Sequence, residues 1–122
     1  MPPSIFRDYG ESAWQFLDDR ALRTLDKLRD KFGKTIVNDW VFGGKNKYRG
    51  FRPHYCTVGA TQSQHRFGRA FDCIFPESDI DDVREYILEH PKEFRYINAV
   101  EIGVSWLHFD VRNCKRIMTF GK

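Results

Sequence analysis

Long apolar runs are absent from this chain. No stretch of its 122 residues approaches the roughly 18 consecutive apolar positions that a bilayer-spanning helix requires, so no membrane partner is expected. The opening segment MPPSIFRDYGES has no apolar core of the signal-peptide type. The expectation is a protein made in the cytoplasm without a signal peptide, which stays there unless something releases it. Cysteine is scarce as well. Cys56, Cys73 and Cys114 are an odd number at unrelated spacings, which argues against a secreted disulfide framework and against a cysteine-rich zinc module. Free thiols are expected. Excess charge is small, and a net +3 permits an anionic polymer as partner without demanding nucleic acid. No internal repeat, low-complexity tract or linker interrupts the chain, whose length suits one compact domain over residues 1–122.

The composition, 41% hydrophobic, 16% aromatic and 30% charged, is that of a soluble globular protein. Trp14, Leu17, Ala21, Leu25, Leu28 and Phe32 recur at steps of three and four, which predicts a core helix over about 12–32 with Ser12 as N-cap and Gly33 as C-cap. TIVNDWVF (35–42) reads as a short strand. Residues 43–62 show no period and predict a long ordered loop or a broken set of turns. RAFDCIF (69–75) reads as a strand. SDIDDVREYILEHPKEF (78–94) reads as a helix opened by a Ser-x-x-Asp cap, with Ile80, Val83, Ile87 and Leu88 on one face. YINAVEI, WLHFDVR and KRIMTF then suggest an antiparallel meander closing the chain. The expected class is α+β, a small antiparallel sheet with helices packed on one side.

One stretch concentrates chemistry. In SQHRFGRAFD (63–72) a strand over 69–75 puts Ala70 and Asp72 on one face and Phe71 and Cys73 on the other. The same alternation in WLHFDVR places His108 and Asp110 on one face, opposite Leu107, Phe109 and Val111. A solvated sheet face explains any one of these polar residues without a special role. Taken together, His65, Asp72 and His108 make a set of two imidazoles and one carboxylate, which suits a catalytic zinc with its fourth position open to water. Gly68 and Ala70, lacking bulk, let the backbone come close to a bound group. His54 and His90 lie outside any motif and read as surface residues, and Trp106 reads as a core anchor.

The pattern Ser63-x-His65-x-x-Gly68-x-Ala70-x-Asp72, followed by Trp106-x-His108, resembles that of the VanY-type zinc peptidases. This group includes D-alanyl-D-alanine carboxypeptidases and the L-alanyl-D-glutamate endolysins of phages, and hedgehog signalling domains share its fold. RGFRP (49–53) is similar to the family's Gly-Tyr-Arg-Ser segment, with Arg52 in the place of its arginine. The resemblance spans about residues 49–112. It implies a hedgehog-like core, Zn2+ bound by His65, Asp72 and His108, and hydrolysis of a peptide bond in peptidoglycan stem peptides. It also implies substrate contacts from Arg52, through a bidentate fork to a carboxylate, and from Ser63. The plain alternatives are a surface ion pair for Arg52, and for Ser63 a turn serine or a group that fixes His65.

The chain departs from the family at one position. Where the carboxypeptidases carry a glutamate three residues before the last histidine, this chain has Ser105. Glu101, seven residues before His108, is then the expected general base, with Asp110 as its competitor, better placed to orient a ligand histidine. The resulting expectation is a monomeric zinc metallopeptidase of phage or prophage type that acts on the cell wall after release or delivery. Its partner would be a peptidoglycan stem peptide, with no nucleic acid. Two other readings stay open: a non-catalytic zinc-binding module of the same fold that binds cell-wall peptides, and a nucleic-acid binder using the basic GGKNKYRGFR loop.

Overall fold

The computed structural model describes residues 1–59, 63–113 and 117–121. Cys114 lies outside the described residues, while Cys56 and Cys73 are buried free thiols. No helix among the described residues is long and apolar enough to cross a membrane. The chain is α+β, with helices α1 (Pro3–Tyr9), α2 (Asp19–Phe32) and α3 (Ile80–Glu89) and a four-stranded sheet.

The helix expected over 12–32 is divided in two. Gly10–Phe16 forms a 3-10 segment, Leu17 is extended, and α2 begins only after Asp18. Asp18 replaces Ser12 as the N-cap, its carboxylate accepting the Arg20 N–H at 2.8 Å, as a helix start requires. The interruption is imposed by tertiary contact. A continuous helix would turn the Asp18 N–H back toward Trp14, but it donates instead to the Gly68 carbonyl at 2.8 Å. Gly68 has φ +68, and a Cβ there would lie 1.8 Å from the Phe16 carbonyl oxygen, so only glycine permits this approach. Trp14 consequently leaves the apolar stripe and is 57% exposed. Ala21 and Leu28, flanked by Leu17, Leu25 and Phe32, carry the buried face. Gly33 ends α2 as expected, donating its N–H to Arg29.

α3 starts one residue later than its sequence signature. Asp79, rather than Ser78, accepts the N–H groups of Asp81 and Asp82 at 2.9 and 3.2 Å. Ser78 donates its hydroxyl to the Phe32 carbonyl at 3.0 Å and ties the two helices end to end. Val83 and Ile87 are buried, whereas Leu88 turns outward. The expected strand over 35–42 shrinks to a single bridge between Ile36 and Ile74. Beyond it the Asp39 carboxylate accepts the Asn46 N–H at 2.9 Å, and this local bonding replaces a ladder. Trp40–Phe42 is a 3-10 turn. No helix or strand forms among the described residues of 43–62.

The strands are β1 (Ala70–Cys73), β2 (Ala99–Ile102), β3 (Leu107–Asp110) and β4 (Met118–Gly121), in the spatial order β1-β3-β2-β4. β3 pairs antiparallel with β1 and β2, but β4 lies parallel to β2. The sheet is therefore mixed, not the antiparallel meander expected. β1 and β2 already occupy both edges of β3, so the last strand adds to the outer edge of β2, whose direction it shares. Phe71, Cys73, Val100, Leu107 and Phe109 join Leu28 of α2 and Val83 and Ile87 of α3 in one core. By the two-residue period the opposite face carries Ala70, Asp72, His108 and Asp110.

Candidate metal centre

The register of the sheet builds the site. Asp72 of β1 pairs directly with His108 of β3, and Ala70 with Asp110. His65 arrives from a 3-10 turn, Gln64–Phe67, capped by the Ser63 hydroxyl, which accepts the His65 N–H at 3.3 Å. Gly68 closes that turn in the left-handed region and anchors it to the start of α2. One potential ligand atom from each of His65, Asp72 and His108 falls within 4.8 Å of the others, and all three residues are buried. The structure thus brings together the three sequence-predicted ligands, in a group that could hold a metal ion.

Their hydrogen bonds fix which atoms face inward. His65 Nδ1–H donates to the Gly50 carbonyl at 2.8 Å, which leaves Nε2 3.2 Å from Asp72 Oδ1. His108 Nε2–H donates to Asp110 Oδ2 at 2.8 Å, and its Nδ1 lies 2.8 Å from the same Asp72 oxygen. In neutral imidazoles with these outer N–H groups, both inner nitrogens carry lone pairs aimed at a carboxylate. Three acceptors then meet without a proton between them, an arrangement that calls for a cation. The donor set therefore fits a metal such as zinc.

Without a metal, a proton takes that place. Burial opposes charge on His108, but its hydrogen bonds to Asp110 and Asp72 outweigh this and push the imidazole up to about 9. Burial likewise opposes ionisation of Asp72, yet its contacts with the protonated His108 first, and with the His65 ring second, hold its carboxyl well below the usual carboxylate range. Asp110 is also held low. Its burial is outweighed by Arg112 and His108, and Arg112 grips both carboxylate oxygens, Nε on Oδ1 at 2.7 Å and Nη2 on Oδ2 at 2.6 Å.

A cavity of about 560 Å³ opens over the three ligands, and Arg52, Ser63, Glu101, Trp106, Arg112 and Phe120 contribute to its wall. Glu101 is half-buried there. Asp110, fully buried, has both oxygens engaged, so Glu101 is the better placed of the two carboxylates to meet a ligand. Arg52 reaches the cavity too, but its Nε donates to the Tyr48 carbonyl at 2.8 Å and its Nη2 to Asp72 Oδ2 at 3.2 Å. His54 and His90 are exposed, as expected.

Several participants escaped the sequence reading. Arg112 was within reach of it, since the alternation that pairs His108 with Asp110 puts Arg112 on the same face. Trp106 is half-buried and lines the cavity rather than anchoring the core. The Gly50 carbonyl that orients His65, and the Phe120 ring set edge-on to His108 at 5.2 Å, come from distant segments and carry no local signal. Comparisons with protein-family models, curated proteins and solved structures found no match.

Proposed function

We propose that the chain is a zinc-dependent peptidase of the VanY type, with a hedgehog-like core, that hydrolyses a peptide bond in peptidoglycan stem peptides as a carboxypeptidase or an endopeptidase. One observation carries this reading. His65 Nε2, Asp72 Oδ1 and His108 Nδ1 converge beneath an open cavity, each histidine held from behind by an acceptor for its other N–H. Three N/O ligands facing open space are the pattern of a catalytic zinc site rather than a closed structural one. The motif resemblance supplies the substrate class.

Bound zinc contributes Lewis acidity, polarising a carbonyl and making water a nucleophile near neutral pH. The protein's own groups do the rest. The Gly50 carbonyl and the Asp110 carboxylate fix the two imidazoles in the ligating tautomer, and Arg112 keeps Asp110 ionised in its buried position. Arg52 holds Asp72 Oδ2 and so leaves Oδ1 directed at the histidines. Glu101 accepts the proton of the attacking water on its carboxylate and returns it to the leaving amine. Ser63 presents His65 through its cap and shares the cavity wall.

Mass spectrometry of muropeptides incubated with zinc-loaded protein tests the proposal, because the fragment released identifies both activity and bond. Release of an amino acid or peptide that a chelator prevents is the expected result. Stoichiometric zinc with no fragment released would favour the non-catalytic cell-wall module, in which Ser105 stands where the carboxypeptidases carry their glutamate.

A further inference from the structure

Of the basic segment GGKNKYRGFR (43–52), the metal centre uses only the end: the Tyr48 and Gly50 carbonyls and Arg52. The lysines at its start have no part there, and neither has the turn before them. On that turn, Trp40–Phe42, Phe42 is 92% exposed and Val41 68%. A single exposed apolar side chain needs no explanation, but two in succession on one turn form a patch that calls for a partner.

The turn is fixed by its own hydrogen bonds. The Asp39 carbonyl accepts the N–H groups of Phe42 and Gly44, both at 3.0 Å, and the Trp40 carbonyl accepts that of Gly43 at 3.1 Å. Asp39 Oδ1 takes the Asn46 N–H at 2.9 Å and Oδ2 the Asn46 side-chain amide at 3.2 Å. A Cβ at Gly44 would collide with that carboxylate, so glycine is what lets the loop close on it. Trp40 anchors the base. Its Nε1 donates to the Met1 carbonyl at 2.7 Å, and its ring meets the exposed Phe6 edge-on at 6.3 Å. Val41 and Phe42 thus project from an ordered support, which lowers the entropy cost of binding through them.

Positive charge lies just behind the tip. Lys45 and Lys47 are exposed. Residues 31–71 carry eight lysines and arginines against one carboxylate, Asp39, which Asn46 already engages. We propose that the tip formed by Val41 and Phe42, with Lys45 and Lys47, docks the protein on an anionic lipid surface, the apolar pair entering the interface and the lysines meeting headgroup phosphates. Size and shape favour lipid over a protein partner. An aromatic side chain buries roughly 150–250 Å², so this tip falls well short of the ~1,200–2,000 Å² of a stable protein interface. A projecting tip also needs a matching hollow in a protein but none in a bilayer interface. The expectation of no membrane partner rested on the lack of a spanning segment, and docking on a surface requires none. Lys45 and Lys47 also line a hollow of about 280 Å³ that shares Arg52 and Asp72 with the metal cavity, so a docked molecule holds its cleft beside the bilayer.

Flotation of the full chain with lipid vesicles tests the proposal and stands apart from the peptidase reading, since it needs neither zinc nor a peptide. The probes are vesicles of phosphatidylglycerol and phosphatidylcholine in equal parts, and of phosphatidylcholine alone, at low salt. The protein should float with the mixed vesicles and more weakly with the neutral ones. Phe42→Ser should lower partitioning at least about tenfold, the worth of taking a phenyl ring out of water, and Val41→Ser should lower it less. Lys45→Gln and Lys47→Gln should each cost roughly fivefold, on the anionic vesicles only. All four side chains are exposed, so circular dichroism and melting temperature should stay those of the wild type. Absence of binding to the mixed vesicles, or Phe42→Ser floating as well as the wild type, overturns the proposal. Binding to duplex DNA in place of vesicles assigns the lysines to nucleic acid and overturns it too. A concentration-dependent dimer that Phe42→Ser abolishes, with no vesicle binding, gives the tip to a second copy of the chain and has the same effect.

Discussion

Asp110→Asn separates a residue that orders the site from one that reacts in it. In the native protein Oδ2 accepts from both His108 Nε2 and Arg112 Nη2, at 2.8 and 2.6 Å, while Oδ1 accepts from Arg112 Nε at 2.7 Å. Asparagine keeps a single acceptor oxygen, and its amide N–H groups face either the guanidinium or the imidazole N–H, donor against donor. At least one charge-assisted bond is lost, which costs roughly 1.5–3 kcal/mol of folding stability. Arg112 is 27% exposed, so water relieves part of its lost pairing and the lower half of that range is expected. Loss of the group that holds a ligating histidine typically weakens metal affinity about 10–100-fold. Competition with a chromophoric chelator measures the affinity, and urea denaturation the stability. Turnover is read at saturating zinc. The variant should be less stable and bind zinc more weakly, yet once loaded turn over within a few-fold of wild type. A variant that binds zinc normally and is inactive would falsify this reasoning and make Asp110 the general base.

Glu101→Gln should do the opposite, lowering turnover by at least roughly a hundredfold while zinc content by elemental analysis stays whole, and near-normal turnover would reduce Glu101 to a cavity-wall carboxylate. In the metal-free protein His108 binds its proton more tightly folded than unfolded. Its contribution to stability is thus complete below the ordinary imidazole value of about 6.5 and disappears as pH rises through about 9, following proton linkage. Thermal melts in chelator should fall across that interval, whereas zinc affinity should rise as the competing proton leaves Nδ1; a flat melting profile contradicts the assigned hydrogen bonds. Gly68→Ala should destabilise the protein by more than about 1 kcal/mol, since φ is +68 and the new Cβ would collide with the Phe16 carbonyl. A denaturation midpoint equal to the wild type would show that the junction between α2 and the His65 turn is looser than described.

Strand periodicity was legible in the sequence because it depends only on neighbouring residues. Phe71, Leu107 and Phe109 alternate with Asp72, His108 and Asp110, and this alone assigns one face to the core and the other to the site. The C-cap of α2 at Gly33 and the buried pair Val83 and Ile87 of α3 were equally local. Failures cluster where a distant segment competes for a backbone group. The helix over 12–32 breaks because Gly68 takes the Asp18 N–H, and the strand over 35–42 dissolves because Asp39 bonds across its own loop to Asn46. Ser78 looked like a cap, but its hydroxyl was drawn to the Phe32 carbonyl, so Asp79 took its place.

By itself, then, the sequence determined the α+β class, the polar face of β1 and β3, and the identity of the three residues able to hold a metal. Only the tertiary structure decided that β4 runs parallel beside β2, since pairing depends on which edge is vacant and not on a strand's own pattern. It alone showed which nitrogen of each histidine faces inward, because that follows from the Gly50 carbonyl and the Asp110 carboxylate behind them. It also separated the arginines. Arg49 and Arg52 sit three residues apart in one loop with the same charge, yet packing sends one guanidinium to Asp72 and leaves the other with an unpartnered N–H beside Trp106. Charge and spacing are properties of the chain, but the partner each donor finds is set by what folds against it.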